Sequence, residues 1–594
     1  MQPADERRRH AISRLLFALA IAAAAAAVLL GATGGFTIRP FGVRVSAHGA
    51  LRPALLALLA AAVALRWLPA ERQVQLLARW RHLTDRLLPV SAVFAATTVL
   101  VLGLTFGARV AGGSDGYGYV SEARLWLGGN LHVPSALVTD APWPNAEWTF
   151  APLGYRPADG HTVVPTYAPG VPLLMALFRT TLGSCGPYLV NPVCAAVLVL
   201  LAYGLGVRVS GPVTGAIAAL SVASSPTLLF MSMFAMSDVP AAAFWTGAVL
   251  LACRSTRSSA AGSGLAAGIA ITMRPNLAPL ALGPALIAVW PMIRQDSRDA
   301  WRRLFVFGGA CLPFVLFIAL LNNRLYGSPF QSGYGDTAAL FSAGHVPANF
   351  VRFPRWLWQT QGPLIFIFPA AMGIRSPGPS RLVLRRMLVA FVVLVFICYL
   401  WYTPFDAWWY LRFVLPAFPV MFVLAADVVW WGTRRFGSRA RIVAAVVFAW
   451  VTIDYGITQA RDRGAFEIGT GEQKYADVGR YVAGALPRNA VVFTVQHSGS
   501  IRYYSGRAIV QWEWMEGAWL DRAIEYLRAS GFEPFVILEQ SEMPVFRERF
   551  ASQHSVGLID RAPLAVHSRG VYIYGTSATA AAPPVTVPHT TGCE

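Results

Sequence analysis

Apolar runs long enough to cross a lipid bilayer recur along this chain, and they constrain its fold more than any other feature. Roughly 20 residues of helix span the hydrocarbon core, and about 13 such runs can be marked between 12–30 and 441–458. Lipid offers no water to satisfy backbone N–H and C=O groups, so each run must close its own hydrogen bonds as a helix. Composition agrees: 55% of residues are hydrophobic, only 13% are charged, and mean hydropathy is +0.50. An ordinary soluble enzyme is excluded. The expected fold class is a mainly α, polytopic transmembrane helix bundle.

The net charge of +19 could point to nucleic acid, but its distribution points to topology. Lys474 is the only lysine, and the arginines cluster in short loops: Arg7–Arg9, Arg66–Arg86, Arg254/Arg257, Arg294–Arg303, Arg375–Arg386 and Arg434–Arg441. All of these fall on one side if the chain starts inside and crosses at each run, as the positive-inside rule requires. The expected partner is therefore the bilayer and not a nucleic acid, with the N-terminus cytoplasmic and the C-terminus extracytoplasmic. Arg7–Arg9 before Ile21–Leu30 resembles a signal peptide, but the run is long and lacks an A-x-A site, so it reads as a retained span. The cysteines (185, 194, 253, 311, 398, 593) lie mostly inside apolar runs with no CxxC, so neither a disulfide framework nor a metal knuckle is expected.

Residues 1–88 read as a two-span hairpin with a basic cytoplasmic loop, and 89–458 as the main transmembrane region. Within that region the extracytoplasmic loops 110–187 and 322–360 are too long to be mere connectors. A helix is expected at Pro172–Thr181, with proline suiting its first turn. Residues 465–575 alternate helix-like and strand-like text: helix Gln473–Leu486, strands Ala490–Val495 and Ala508–Gln511, helix Ala518–Ser530 and strand Pro534–Leu538. A helix near 542–551 and strands near 556–560 and 571–574 follow. That pattern predicts a small extracytoplasmic α/β domain, and no Gly-rich loop supports nucleotide binding there. Residues 576–594, rich in Ala, Thr and Pro, read as a disordered tail.

Charges at a membrane boundary are costly and call for a functional explanation. Asp115 stands in Gly112-Gly-Ser-Asp-Gly-Tyr-Gly-Tyr119, just beyond an apolar run, and opens a helix-like segment with Tyr119, Glu122 and Trp126 at i+4, i+7 and i+11. Asp238 (Met236-Ser-Asp-Val-Pro240), Arg274 (Met-Arg-Pro-Asn276), Asp406 and Arg412 (Pro-Phe-Asp-Ala-Trp-Trp-Tyr-Leu-Arg-Phe) fall on the same outer side, with Asp336, His345, Arg352 and Arg355 in the second long loop. A carboxylate base and a phosphate leaving group would use such a mixture: the acid accepts a hydroxyl proton and arginines neutralise the phosphate. Plainer roles compete. Glu122 can pair with Arg124, Asp238 can cap a helix start, and Arg274 can snorkel to headgroups. The pairs Trp356/Trp358 and Trp408/Trp409 suit an interfacial belt, and His161 and His345 read as loop histidines. The glycines flanking Asp115 leave it uncrowded, which argues against mere capping.

An acid in the first large outer loop followed by an interfacial helix resembles the GT-C glycosyltransferases, nearest to bacterial relatives of protein O-mannosyltransferases and of the lipid A aminoarabinose transferase. The resemblance runs from about 89 to 458. It rests on Ser-Asp-Gly-Tyr-Gly-Tyr (114–119), Tyr167-Ala-Pro-Gly, Met236-Ser-Asp-Val-Pro, Tyr326–Tyr334 and Leu411-Arg-Phe-Val-Leu-Pro416-Ala-Phe-Pro419. It implies transfer of a sugar from a polyprenyl-phosphate carrier to an extracytoplasmic acceptor hydroxyl on a glycan, lipid or protein of the envelope, in a bacterial plasma or inner membrane. Asp115 would be the base of a single inverting displacement, with Glu122, Tyr167, Asp238, Arg274, Asp406 and Arg412 binding substrate. Where many relatives carry two acids in this loop, Asp115 is followed by glycine; no metal ligand is assigned, and a divalent cation stays open. The alternatives from other classes are a transporter or flippase for a lipid-linked saccharide, which would show midplane charges and repeated halves, and a non-catalytic scaffold for envelope assembly.

Overall fold

Proline decides where the apolar runs break. The helices Pro212–Ala223 and Pro226–Ser232 each begin on proline and meet at 58°. Proline lacks the N–H and its ring clashes with the preceding turn. Elsewhere the backbone tightens into 3-10 geometry around prolines 279, 369 and 416, in Pro275–Ala281, Pro363–Gly373 and Trp408–Ala417. Such stretches are long for this helix type, which marks them as special.

The computed structural model describes all residues except 1–2, 34–35, 39–44, 48–50, 68–69, 136–139, 160, 255, 294–296, 336–339, 375–378, 578–582, 591 and 594. Asp336 lies outside the described residues. Among those described, five helical segments are long and apolar enough to cross a membrane: Arg86–Phe106, Gly186–Ser210, Ser297–Tyr326, Ser380–Leu400 and Trp408–Asp462. The bent proline pair makes a sixth if it counts as one span. Other apolar runs form shorter helices, including Gly170–Leu182 and Asp238–Ala252.

The chain forms two compact units. The first comprises residues 1–90 and 429–447. Its helices Pro3–Thr33 and Leu51–Trp67 are joined through an antiparallel strand pair, Phe36–Ile38 with Val45–Ala47. Buried Ala57, Ala60 and Ala64 let these helices approach closely, and Ser13 Oγ donates to the Ala64 carbonyl at 3.1 Å.

The second unit comprises 91–428 and 448–594. Its helical part is held at one point by a wholly buried ion pair. Arg385 donates from Nε and Nη2 to Asp427 at 2.6 and 2.9 Å and from Nη1 to the Ile374 carbonyl at 3.2 Å. Its C-terminal part is a six-stranded mixed sheet. The order is Val585–Thr586, Ala565–His567, Val571–Gly575, Glu533–Glu539, Ala490–Phe493, Ala508–Val510, with the last three parallel to one another. Strand Ala490–Phe493 is buried throughout, and its alternate residues enter two different cores, as the two-residue strand period requires. Val491 and Phe493 pack with Leu520, Ile524 and Leu527 of helix Leu520–Ala529. Ala490 and Val492 pack with Val478 and Val482 of helix Ile468–Ala485.

Two expectations change. The segment near 556–560 is a 3-10 turn, His554–Asp560, with Leu558 and Ile559 both turned into the core beside Val491 and Leu538. The tail also differs: Val585–Thr586 pairs in parallel with Ala565–His567, and Val587 and Cys593 are buried. Cys593 forms a disulfide with Cys185, 408 residues away. The low-complexity text conceals one apolar anchor and one covalent one.

Candidate functional site

Two glycines shape the acid loop by what they admit. A side chain at Gly112 would meet the Tyr475 ring at 2.3 Å, and one at Gly118 would meet the Tyr167 ring at 2.2 Å. Gly112 and Gly118 therefore serve close packing by two tyrosines, while a Cβ at Gly113 or Gly116, nearer the acid, would meet nothing closer than 3.7 Å. Tyr167 stacks on Tyr119 with centroids 4.6 Å apart and shares a 2.7 Å hydrogen bond with Ser114, the residue before the acid.

Asp115 is the first residue of helix Asp115–Gly128, at the end whose free N–H groups favour a negative charge. Its Oδ2 accepts from Arg412 Nη1 at 3.0 Å, both side chains being only partly exposed (23% and 15%). The second acid, Asp238, sits in the first turn of helix Asp238–Ala252 and is taken by Arg274, whose Nη2 donates to it at 2.5 Å. Arg274 reaches it because Pro275 forces the preceding residue out of helical geometry (φ −144°, ψ 85°) and ends helix Arg257–Met273 there. Nε of Arg274 donates to Ser237 Oγ at 3.1 Å and Nη1 to the Tyr399 hydroxyl at 2.9 Å, while Tyr119 donates to the same Ser237 at 2.9 Å. Both guanidiniums lie 5.2 Å from the centre of the Phe413 ring, whose face attracts cations. Asp115, Tyr167, Asp238, Arg274 and Arg412 thus form one connected network.

The other two expected residues stand outside it. Glu122 is 2% exposed, and its Oε1 accepts from Trp126 Nε1 at 3.0 Å. Its expected partner Arg124 instead lies 3.8 Å over the Tyr503 ring. Burial pushes the Glu122 carboxyl up to about 8, opposed by the Trp126 bond. Asp406 has a 79% exposed side chain and pairs with Arg352 at 3.7 Å.

Asp115 borders a cavity of about 180 Å³, together with Gly113, Phe234, Met236, Tyr475 and Glu472. The last two come from the C-terminal α/β part, more than 350 residues on in sequence, and no local text flagged them. Their helix, Ile468–Ala485, reads as an ordinary amphipathic segment. The C-terminal part is tied to the acid loop again by the Ala111 N–H, which donates to the Tyr504 hydroxyl at 2.9 Å. The carboxylates lining this cavity are those of Asp115 and Glu472.

A separate cluster, Asp477, His567 and His589, groups its ligand-type atoms within 4.8 Å. His567 Nδ1 accepts from the Arg569 backbone N–H at 3.1 Å, which places the ring proton on Nε2, facing Asp477 at 3.1 Å. Asp477 also accepts from Thr590 N at 2.8 Å and lies 2.9 Å from His589 Nδ1. Burial would raise this carboxyl, but hydrogen bonds from Thr590, Gln473 and His567 outweigh it and hold it at about 2. The cluster is a clasp for the C-terminal segment.

No protein-family model matches this chain, and neither does any curated protein. Solved structures do. ArnT from Cupriavidus metallidurans, in the apo state, superposes with a TM-score of 0.52 at 13% identity, over 82% of this chain and 98% of that one. The same protein bound to undecaprenyl phosphate gives 0.51 at 14%, over 84% and 99%. The oligosaccharyltransferase AglB from Archaeoglobus fulgidus, in complex with an inhibitory peptide and a dolichol-phosphate, gives 0.51 at 12%, over 83% and 75%. The chain therefore shares the fold of ArnT and AglB.

Proposed function

We propose that this protein is an integral membrane glycosyltransferase that moves a sugar from a polyprenyl-phosphate carrier to an acceptor hydroxyl outside the cytoplasm. The observation that carries the reading is the Asp115–Arg412 pair on the wall of a cavity, joined through Phe413 to the Arg274–Asp238 pair. One carboxylate oxygen is held by Arg412, leaving the other for an acceptor O–H. In the proposed step Asp115 takes the hydroxyl proton as the acceptor oxygen bonds to the anomeric carbon. The bond from that carbon to the carrier phosphate breaks, and the phosphate leaves with the electron pair, inverting the centre. Arg412 and Arg274 neutralise the developing dianion, a role suited to guanidinium forks. Asp238 and Ser237 fix Arg274, and Tyr167 fixes the acid loop. Glu122 and Asp406 take no part in this step.

A lipid-phosphate donor is supported by the similar fold of ArnT bound to undecaprenyl phosphate and of AglB with dolichol-phosphate. An extracytoplasmic site is supported by the Cys185–Cys593 disulfide, since such bonds persist in oxidising compartments, and by the arginine-rich loops expected on the opposite side. Replacing Asp115→Asn keeps shape but removes the base. Transfer from lipid-linked sugar in isolated membranes should fall roughly 10²–10⁴-fold. Full transfer by this variant would remove the central step.

A further inference from the structure

Glu472 forms a wall common to two cavities. One is the Asp115 cavity of about 180 Å³; the other is an open cleft of about 700 Å³ lined by Gly471, Glu472, Lys474, Ser568 and Arg569. We infer that this cleft is the acceptor site, that its ligand is a neutral, hydroxyl-rich saccharide, and that Glu472 positions the acceptor by accepting a hydrogen bond from a sugar hydroxyl beside the reacting one. The inference rests on the transferase reading above and adds the acceptor's class and route.

Three observations carry it. First, Glu472 is half-buried and faces the same cavity as the proposed base, so a group held by it lies within that cavity's reach of Asp115. Its carboxylate makes no hydrogen bond to the described residues, although its neighbours are engaged: Lys474 pairs with Glu539 at 2.6 Å. Second, four of the five cleft residues carry polar side chains and none is apolar, so an acyl chain finds no seat there. Hydroxyls, which both donate and accept, suit a carboxylate, a serine and a guanidinium together. With Lys474 neutralised by Glu539, the remaining charges of Glu472 and Arg569 offset each other, which fits a neutral ligand better than an anionic one. Third, Ser568 and Arg569 sit in the turn between Ala565–His567 and Val571–Gly575, two strands inside the sheet. An extended peptide would pair with a free sheet edge, and this cleft offers none. Burial raises the Glu472 carboxyl to about 7, opposed by Lys474 and reinforced by Glu539 and Asp115, so above that pH it carries the charge that offsets Arg569 and accepts a hydroxyl hydrogen bond.

The test uses the full chain in nanodiscs, with lipid-linked sugar extracted from the same cells as donor and neutral oligosaccharides released from their envelope as acceptor probe. Glu472→Gln should raise the acceptor KM about tenfold and leave kcat and the donor KM within twofold; Glu472→Asp should recover part of the loss. Arg569→Ala, on the exposed rim, should raise the acceptor KM severalfold without any question of folding. An unchanged acceptor KM, a raised donor KM, or a fall in kcat restored by excess Mn²⁺ would overturn the assignment, the last making Glu472 a cation ligand. A benzophenone amino acid in place of Ser568 should give a glycan adduct on irradiation in cells; a peptide or phospholipid adduct would overturn the ligand class. Asp115→Asn serves as the separate control. Its retaining transfer would defeat the transferase mechanism, whereas a silent Glu472→Gln beside a dead Asp115→Asn would defeat only the acceptor site.

Discussion

Glu122 and Asp115 share one helix and have opposite fates. Asp115 meets an arginine at a cavity wall, while Glu122 is sealed behind Trp126 with Oε2 unpartnered among the described residues. Burial lifts the Glu122 carboxyl from an ordinary 4.5 to about 8, so between these values the folded chain holds a proton that the unfolded chain lacks. The stability this proton supplies is complete below about pH 4.5 and is lost as pH rises through about 8. Glu122→Gln should therefore be more stable than wild type at pH 9, by on the order of 5 kcal/mol, and melt together with it at pH 4.5. Scanning calorimetry in detergent checks this, and equal melting at both pH values would refute it. Sequence spacing put both acids on one helix face, but it could not separate the acid at the cavity from the acid beneath the surface. That distinction depends on Trp126 and on which elements cover the helix. The expected group Tyr167, Asp238, Arg274 and Arg412 was legible because each is a polar residue near the end of an apolar run, within four residues of a proline.

Between elements, the acid loop depends on tyrosines that pack where a Cβ would be. Gly118→Ala should push the Tyr167 ring from Ser114 and lower transfer about tenfold or more, in a chain that still folds. Pairing it with Tyr167→Leu, which frees the space, should restore part of the activity if crowding is the cause; no recovery would point to another. The Arg385–Asp427 pair joins helices Pro379–Leu400 and Phe418–Gly432. Arg385→Met leaves the buried Asp427 carboxylate with the Ser210 hydroxyl but no counter-charge and should cost about 3–5 kcal/mol, whereas Arg385→Met with Asp427→Leu should recover most of it. Thermal unfolding of the three proteins measures the difference. Such partners were not legible: Arg385 reads as one more member of the basic cluster Arg375–Arg386, and Asp427 lies in an apolar run that reads as continuous lipid-facing helix. The short strands Ala565–His567 and Val585–Thr586 escaped for the converse reason: at three and two residues they are too brief to show a period.

At the scale of the second unit, the loop 110–187 is built into the C-terminal sheet. Trp143 and Phe150 enter the core formed by Val491, Phe493 and Leu538. The Gln511 N–H donates to the Thr149 carbonyl at 2.6 Å and the Leu153 N–H to Ser498 Oγ at 3.1 Å. This explains why the α/β part was legible as a fold and not as a contributor to the cavity. Alternating strand and helix text reveals a domain, but Glu472 and Tyr475 reach Asp115 only through this long-range docking.

The Cys185–Cys593 bond adds a consequence of its own. It closes the backbone from 185 to 593 into a covalent loop, so one protease cut anywhere inside that loop severs no mass from the molecule. Limited trypsin digestion of the purified protein should leave nicked chains migrating as a single band without reductant and as fragments once dithiothreitol is added. A fragment released before reductant by a single cut between 185 and 593 would show that the ends are not tied.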